Sequence, residues 1–259
     1  MERSPAKPAD AAALPVVALV VSAYAYVWAR RAVFFRLSLP WILAGPALAL
    51  LGVAVVPSHP LMRDAPVRLG SSVDPFGGAA LAVAWLRHLV LGEPWPRFGA
   101  PFGWRALRFL LWWLLLRLSY LLPLVLVALL GAALPIPTHP VVAIATGVAA
   151  MAVGMLVAVY LLPLMVGVAL DDRPSLMQSL RFVHGHALRI WAGVLLAEIP
   201  FALFVGLLGL VGPGQLGFGF DALVFLLGER FALYAGIAVQ ASYAAGVYGR
   251  LLRASSRAH

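Results

Sequence analysis

The chain contains no cysteine, which excludes disulfides, thiolate metal sites and thiol nucleophiles in any compartment. Charge is scarce too. Only 11% of the 259 residues are charged while 63% are hydrophobic, too little polar surface to cover a water-soluble globule. Acids are the scarcer sign, ten against nineteen Lys plus Arg, for a net charge of +9. In a soluble protein that excess would point to nucleic acid. Here the cations are confined to short connectors between apolar runs, the pattern that orients membrane helices, so the partners expected are the lipid bilayer, anionic lipid headgroups and other membrane proteins, with no nucleic acid. Lysine is nearly missing, Lys7 alone, which reads as coding bias and not as recognition chemistry. The apolar runs also lack paired acids, a histidine ligand set or an activated nucleophile, so the expectation is a protein that is not an enzyme and holds no cofactor or metal.

What is present is length of apolar helix. A bilayer core of roughly 30 Å needs about 20 apolar residues at 1.5 Å rise each. Six segments qualify: 37–56, 73–91, 109–134, 141–170, 190–211 and 231–249. Lipid offers no partner to exposed backbone, so all six are expected to be helical. The segment 11–29 is nearly apolar as well, but Pro15 interrupts it and Tyr24, Tyr26 and Trp28 are interfacial residues followed by Arg30, Arg31 and Arg36. A helix lying in the headgroup region is preferred there over a seventh span. The fold expected is therefore all-α: a polytopic integral membrane bundle forming a single domain over 1–259, with a cytoplasmic tail and interfacial helix in 1–36 and further amphipathic helices on the cytoplasmic side. The N-terminal MERSPAKPADAAALP carries acids and prolines and no clear cleavage site, unlike a removed signal peptide.

With six spans both termini share one face. Fifteen cations fall on that face and only Arg63, Arg68 and Arg230 on the other, which places the termini in the cytoplasm. Pro46, Pro123 and Pro200 recur at intervals of 77 in the first, third and fifth spans. The turns Pro57-Ser58-His59-Pro60 and Pro137-Thr138-His139-Pro140 repeat as well, which suggests three helical hairpins. Between the fourth and fifth spans, Asp171-Asp172-Arg173-Pro174 stops a helix, and Ser175 with Gln178 has the form of a capping box opening another. Leu176, Leu180, Val183, Ala187 and Trp191 then mark an apolar stripe, with Gln178, Arg181 and Arg189 off it.

AYAYVWARRAVFFRLSLPWIL, AWLRHLVLGEP and LPLMVGVALDDRPSLMQSLRFVHGHALRIWAG resemble three landmarks of a large group of uncharacterised bacterial six-span inner-membrane proteins. These are similar in layout to the membrane domain that accompanies glycerophosphodiester phosphodiesterases. The resemblance implies a bacterial inner-membrane location and carries over no catalytic residue, because the phosphodiesterase chemistry belongs to a separate soluble domain.

The remaining candidates are charges inside the spans, which cost a few kcal/mol or more at mid-bilayer. Arg117 has two readings. It either snorkels to the cytoplasmic headgroups, or it pairs with Glu198, which lies at the same depth by residue count from Arg108 and Arg189 respectively. Trp113 and Tyr120 would share the face of Arg117, and Gln240 is the third member of this candidate polar cluster. Fixing helix order is the preferred role for such a pair. The functional expectation is a scaffold or accessory protein contacting lipid through its interfacial helices, and the alternative is a small permease or lipid-handling transporter with its site around Glu198. His184-Gly185-His186 is expected on a helix, where i and i+2 point apart, so the two make no shared metal site. His59 and His139 are read as repeated turn chemistry, and GPGQLGFGF as a turn. Ala241, Ala245 and Gly249, with Ser242 and Gly246, are small residues that permit close helix packing.

Overall fold

A computed structural model describes residues 14–55, 70–133, 140–172, 175–211 and 220–256, and among these residues every regular element is a helix. Eight are defined: α1 Val16–Ala29, α2 Arg31–Val55, α3 Asp74–Leu91, α4 Trp104–Ala133, α5 Pro140–Leu170, α6 Leu176–Val183, α7 Ala187–Val211 and α8 Phe220–Ser256. Four of them contain stretches long and apolar enough to cross a membrane, at Arg31–Gly52, Ala152–Leu170, Ala187–Leu208 and Leu223–Leu252. The six expected spans fall on α2, α3, α4, α5, α7 and α8 in turn. The repeated turns with His59 and His139, the Arg63 and Arg68 connector, Arg173 and most of GPGQLGFGF lie outside the described residues.

The helix ends follow local chemistry. Pro75 occupies the first turn of α3, where a missing N–H costs nothing, and Gly92 closes the helix in the left-handed region at φ 69°, its N–H donating to the His88 carbonyl. The capping box of α6 is formed in full: the Gln178 N–H donates to Ser175 Oγ at 3.2 Å and the Ser175 N–H to Gln178 Oε1 at 2.8 Å. The expected helix through His184-Gly185-His186 is not formed. α6 ends at Val183, and Gly185 at φ 82° turns the chain, a conformation that only glycine adopts without steric cost.

α8, 37 residues long, is the axis of the bundle and packs against α7, α3, α1, α2, α5 and α6. It is about 55 Å long at helical rise. Its small residues admit neighbours closely: a Cβ on Gly246 would stand 3.0 Å from Leu19 and one on Gly236 3.4 Å from Phe201, while Ser242 accepts the Trp85 indole N–H at 2.8 Å. The small-residue stripe thus serves packing within the chain. α3 is the most enclosed helix, with Gly77 to Leu86 buried save Ala84. α1 docks against α8 and α7, burying Leu19, Val20 and Ala23, and the Tyr24 hydroxyl donates to the Ala197 carbonyl at 2.7 Å. The outer faces of α2, α4 and α7 expose large apolar side chains, among them Leu43, Leu50, Leu111, Leu115, Leu203 and Leu207. A surface of that kind matches hydrocarbon better than water.

Candidate functional site

Two charged centres emerge, at opposite ends of α3. At its N-terminal end Asp74 meets Arg230 of α8, whose Nη1 donates to Oδ1 at 2.5 Å. The Arg230 side chain is only 4% exposed and that of Asp74 17%. Gly45 of α2 makes room for the guanidinium, since a Cβ there would overlap it, and Gly77 does the same for the Tyr234 hydroxyl. Arg230, expected as a cation of the outer connector, is instead part of a helix and paired inside the bundle. α8 begins at Phe220, ahead of the expected span, which leaves Arg230 inside the helix and buried against its acid.

At the other end of α3 the Arg87 side chain, 11% exposed, gathers three elements. It is ion-paired with Glu93, which follows α3. It also donates through Nη1 to Asp171 Oδ2 at 2.9 Å and to the Ala169 carbonyl at 3.1 Å, where a cation complements the C-terminal end of α5. Arg105 and Arg108, from the first turns of α4, reach the same carboxylate at 2.6 and 2.5 Å. Asp171 is the one non-glycine residue at positive φ among those described, 59°. Beside it the Tyr248 hydroxyl donates to Asp172 Oδ2 at 2.6 Å, tying α8 to the same end.

Electrostatics at this end follow from the arginines. The Arg87 guanidinium holds the Glu93 carboxyl below its usual range. For Asp171 burial pushes the pKa up, but hydrogen bonds and charge from Arg105 and Arg87 outweigh it and the net shift is downward.

The connector between α3 and α4 folds back over α3 and is laced to α2: the Gly99 N–H donates to the Arg36 carbonyl at 3.2 Å and the Ala100 N–H to the Leu37 carbonyl at 3.1 Å, while Trp41 Nε1 donates to the Ala100 carbonyl at 3.1 Å. His88 Nδ1 is hydrogen-bonded to the Glu93 carbonyl at 2.6 Å, and its ring stacks on Trp95 at 3.7 Å. Pro94, Pro96 and Pro101 stiffen the strap by fixing φ. Between strap, α3 and α4 lies a cavity of about 530 Å³, lined by Ala80, Arg87, Glu93, Trp104, Arg105, Arg108 and Asp171 among others.

Of the residues singled out from sequence, Glu198 lies half-buried on α7, next to the Ala197 carbonyl that accepts Tyr24, and Gln240 lies half-buried on the adjoining α8. Arg117 belongs to α4, and its side chain lies outside the described residues. α4 packs chiefly on α5 and α3, whereas α7 packs on α8, α1 and α5. Sequence reading missed both Asp74 and the Asp171 hub. In the sequence the former reads as the start of an expected span and the latter as a helix stop, and only tertiary structure shows their partners. Comparison with protein-family models, curated proteins and solved structures gave no match.

Proposed function

We propose that this chain is a non-enzymatic, six-span protein of the bacterial inner membrane that scaffolds or assists other membrane components. Both termini and the Arg87–Asp171 end face the cytoplasm, against anionic headgroups. The observation that carries this reading is the concentration of Arg87, Arg105 and Arg108 at one end of a bundle whose flanks are apolar. Arginines at that level suit the negative inner leaflet, and their excess on one side follows the rule that sets membrane orientation.

The second reading, a small permease or lipid-handling transporter, rests on Glu198, an acid within the apolar stretch Ala187–Leu208. One experiment separates the two. Purification from native membranes in mild detergent, with bound protein and lipid both counted, should retain a second membrane protein and anionic phospholipid enriched over the bulk. A lone protein with bulk lipid composition, and a solute flux in liposomes that vanishes in Glu198→Gln, would reverse the preference.

A further inference from the structure

Three guanidiniums converge on one carboxylate at the Asp171 end, with distances of 2.9, 2.6 and 2.5 Å from Arg87, Arg105 and Arg108. Each guanidinium offers five N–H donors in a fixed fork, far more than one carboxylate accepts. Glu93 takes part of the surplus from Arg87, while Arg108 Nε is buried with no partner among the described residues. The cavity thus has three cations against two acids in its lining.

The backbone adds to this charge. Gly103, Trp104, Arg105 and Ala106 line the cavity, so the N-terminal end of the 30-residue α4 opens into it. That turn carries no acidic residue to neutralise the positive end of the helix, and Gly103 has no side chain to cap it. Convergent arginine forks beside a helix N-terminus are the chemistry that receives a tetrahedral oxyanion. The mouth is amphipathic: Trp104 and Arg105 are exposed there, and Phe98 and Phe102 of the strap are exposed nearby.

Asp171 occupies the centre of this arrangement. It sits in a left-handed conformation that a non-glycine residue adopts at a cost, on a short turn where α5 ends. An anion bound more strongly by the three arginines could replace it and let that turn relax.

We propose that the cavity binds a phosphate group, carried by a phospholipid headgroup or by a soluble phosphate ester, and that Asp171 is the built-in anion that holds the arginines until the phosphate takes its place. The lipid source rests on the reading of this end as the cytoplasmic surface, and the phosphate chemistry does not depend on it.

The test uses the full chain in a neutral detergent, titrated at constant ionic strength with inorganic phosphate and separately with dihexanoylphosphatidic acid, binding being read by calorimetry. Saturable binding is expected, weakened by about tenfold or more in Arg108→Gln, which removes charge-assisted donors. Asp171→Asn removes the internal competitor while keeping a residue that tolerates positive φ, and should tighten binding. Binding of the lipid alone supports the headgroup as source, and equal binding of inorganic phosphate supports a soluble ester. No saturable binding of either ligand, or binding that Asp171→Asn leaves unchanged or weakens in a chain that remains folded, overturns the proposal. Because detergent presents both faces alike, such a failure leaves the membrane orientation to be judged separately.

Discussion

Arg230 and Asp74 sit where an unpaired charge costs most, and each is kept by the other. Replacing Arg230 with Met strands Asp74, so the single variant should lose about 3–5 kcal/mol, whereas Arg230→Met with Asp74→Asn should recover most of that loss. Chemical unfolding in detergent measures both, and a double variant no better than the single would show that the pair is not the stabilising unit. At the other end of α3, Asp171 and Glu93 have depressed pKa values in the folded state. A depressed carboxylate stabilises the fold fully above its unfolded pKa of about 4, and the contribution is lost as pH falls through the lower folded value. The stability difference between the native chain and Asp171→Asn should therefore be flat above about pH 5 and shrink below about pH 4. Thermal melts across that range test the sign. These two centres were the least legible part of the sequence, because Arg230 and Asp74 are 156 positions apart and Arg87 and Asp171 84 apart, with no local pattern linking them.

Single elements were legible wherever the signal was local. The capping box at Ser175 and Gln178 is formed as its spacing implied, because N-cap and N3 interact within one turn. His184-Gly185-His186 failed as helix because apolar periodicity continued past a glycine that in fact turns the chain. Residue counts place Arg117 and Glu198 at one depth in their helices but carry no information on which helices adjoin. The neighbours of α4 and α7 are set by packing. Packing also makes glycines unequal. A Cβ on Gly45 would overlap the Arg230 guanidinium, while one on Gly206 would meet nothing within 4 Å. Gly45→Ala should cost about 1–3 kcal/mol by overpacking. Gly206→Ala should be neutral or stabilise by up to about 1 kcal/mol, since alanine loses less backbone entropy in a helix. Equal melting temperatures for the two variants would contradict that contrast.

At the scale of the whole molecule, composition made the fold class plain, because apolar runs this long leave a helical bundle as the stable outcome. Six expected spans fall on six helices, of which four contain a sufficient apolar stretch among the described residues. What the runs could not show is the axial position of α8, the enclosure of α3 or the strap that folds back over it, all of which arise from contacts between distant segments. The central proposal is the orientation: termini and arginine centre in the cytoplasm, the Asp74 end outside. The absence of native cysteine makes it directly measurable, since any thiol introduced is the sole one. Single-cysteine variants at Ser72, Arg97 and Ser256 can be treated in intact cells with a membrane-impermeant maleimide. Position 72 is expected to label from outside, and positions 97 and 256 only after permeabilisation. Labelling of 97 or 256 in intact cells would contradict that orientation.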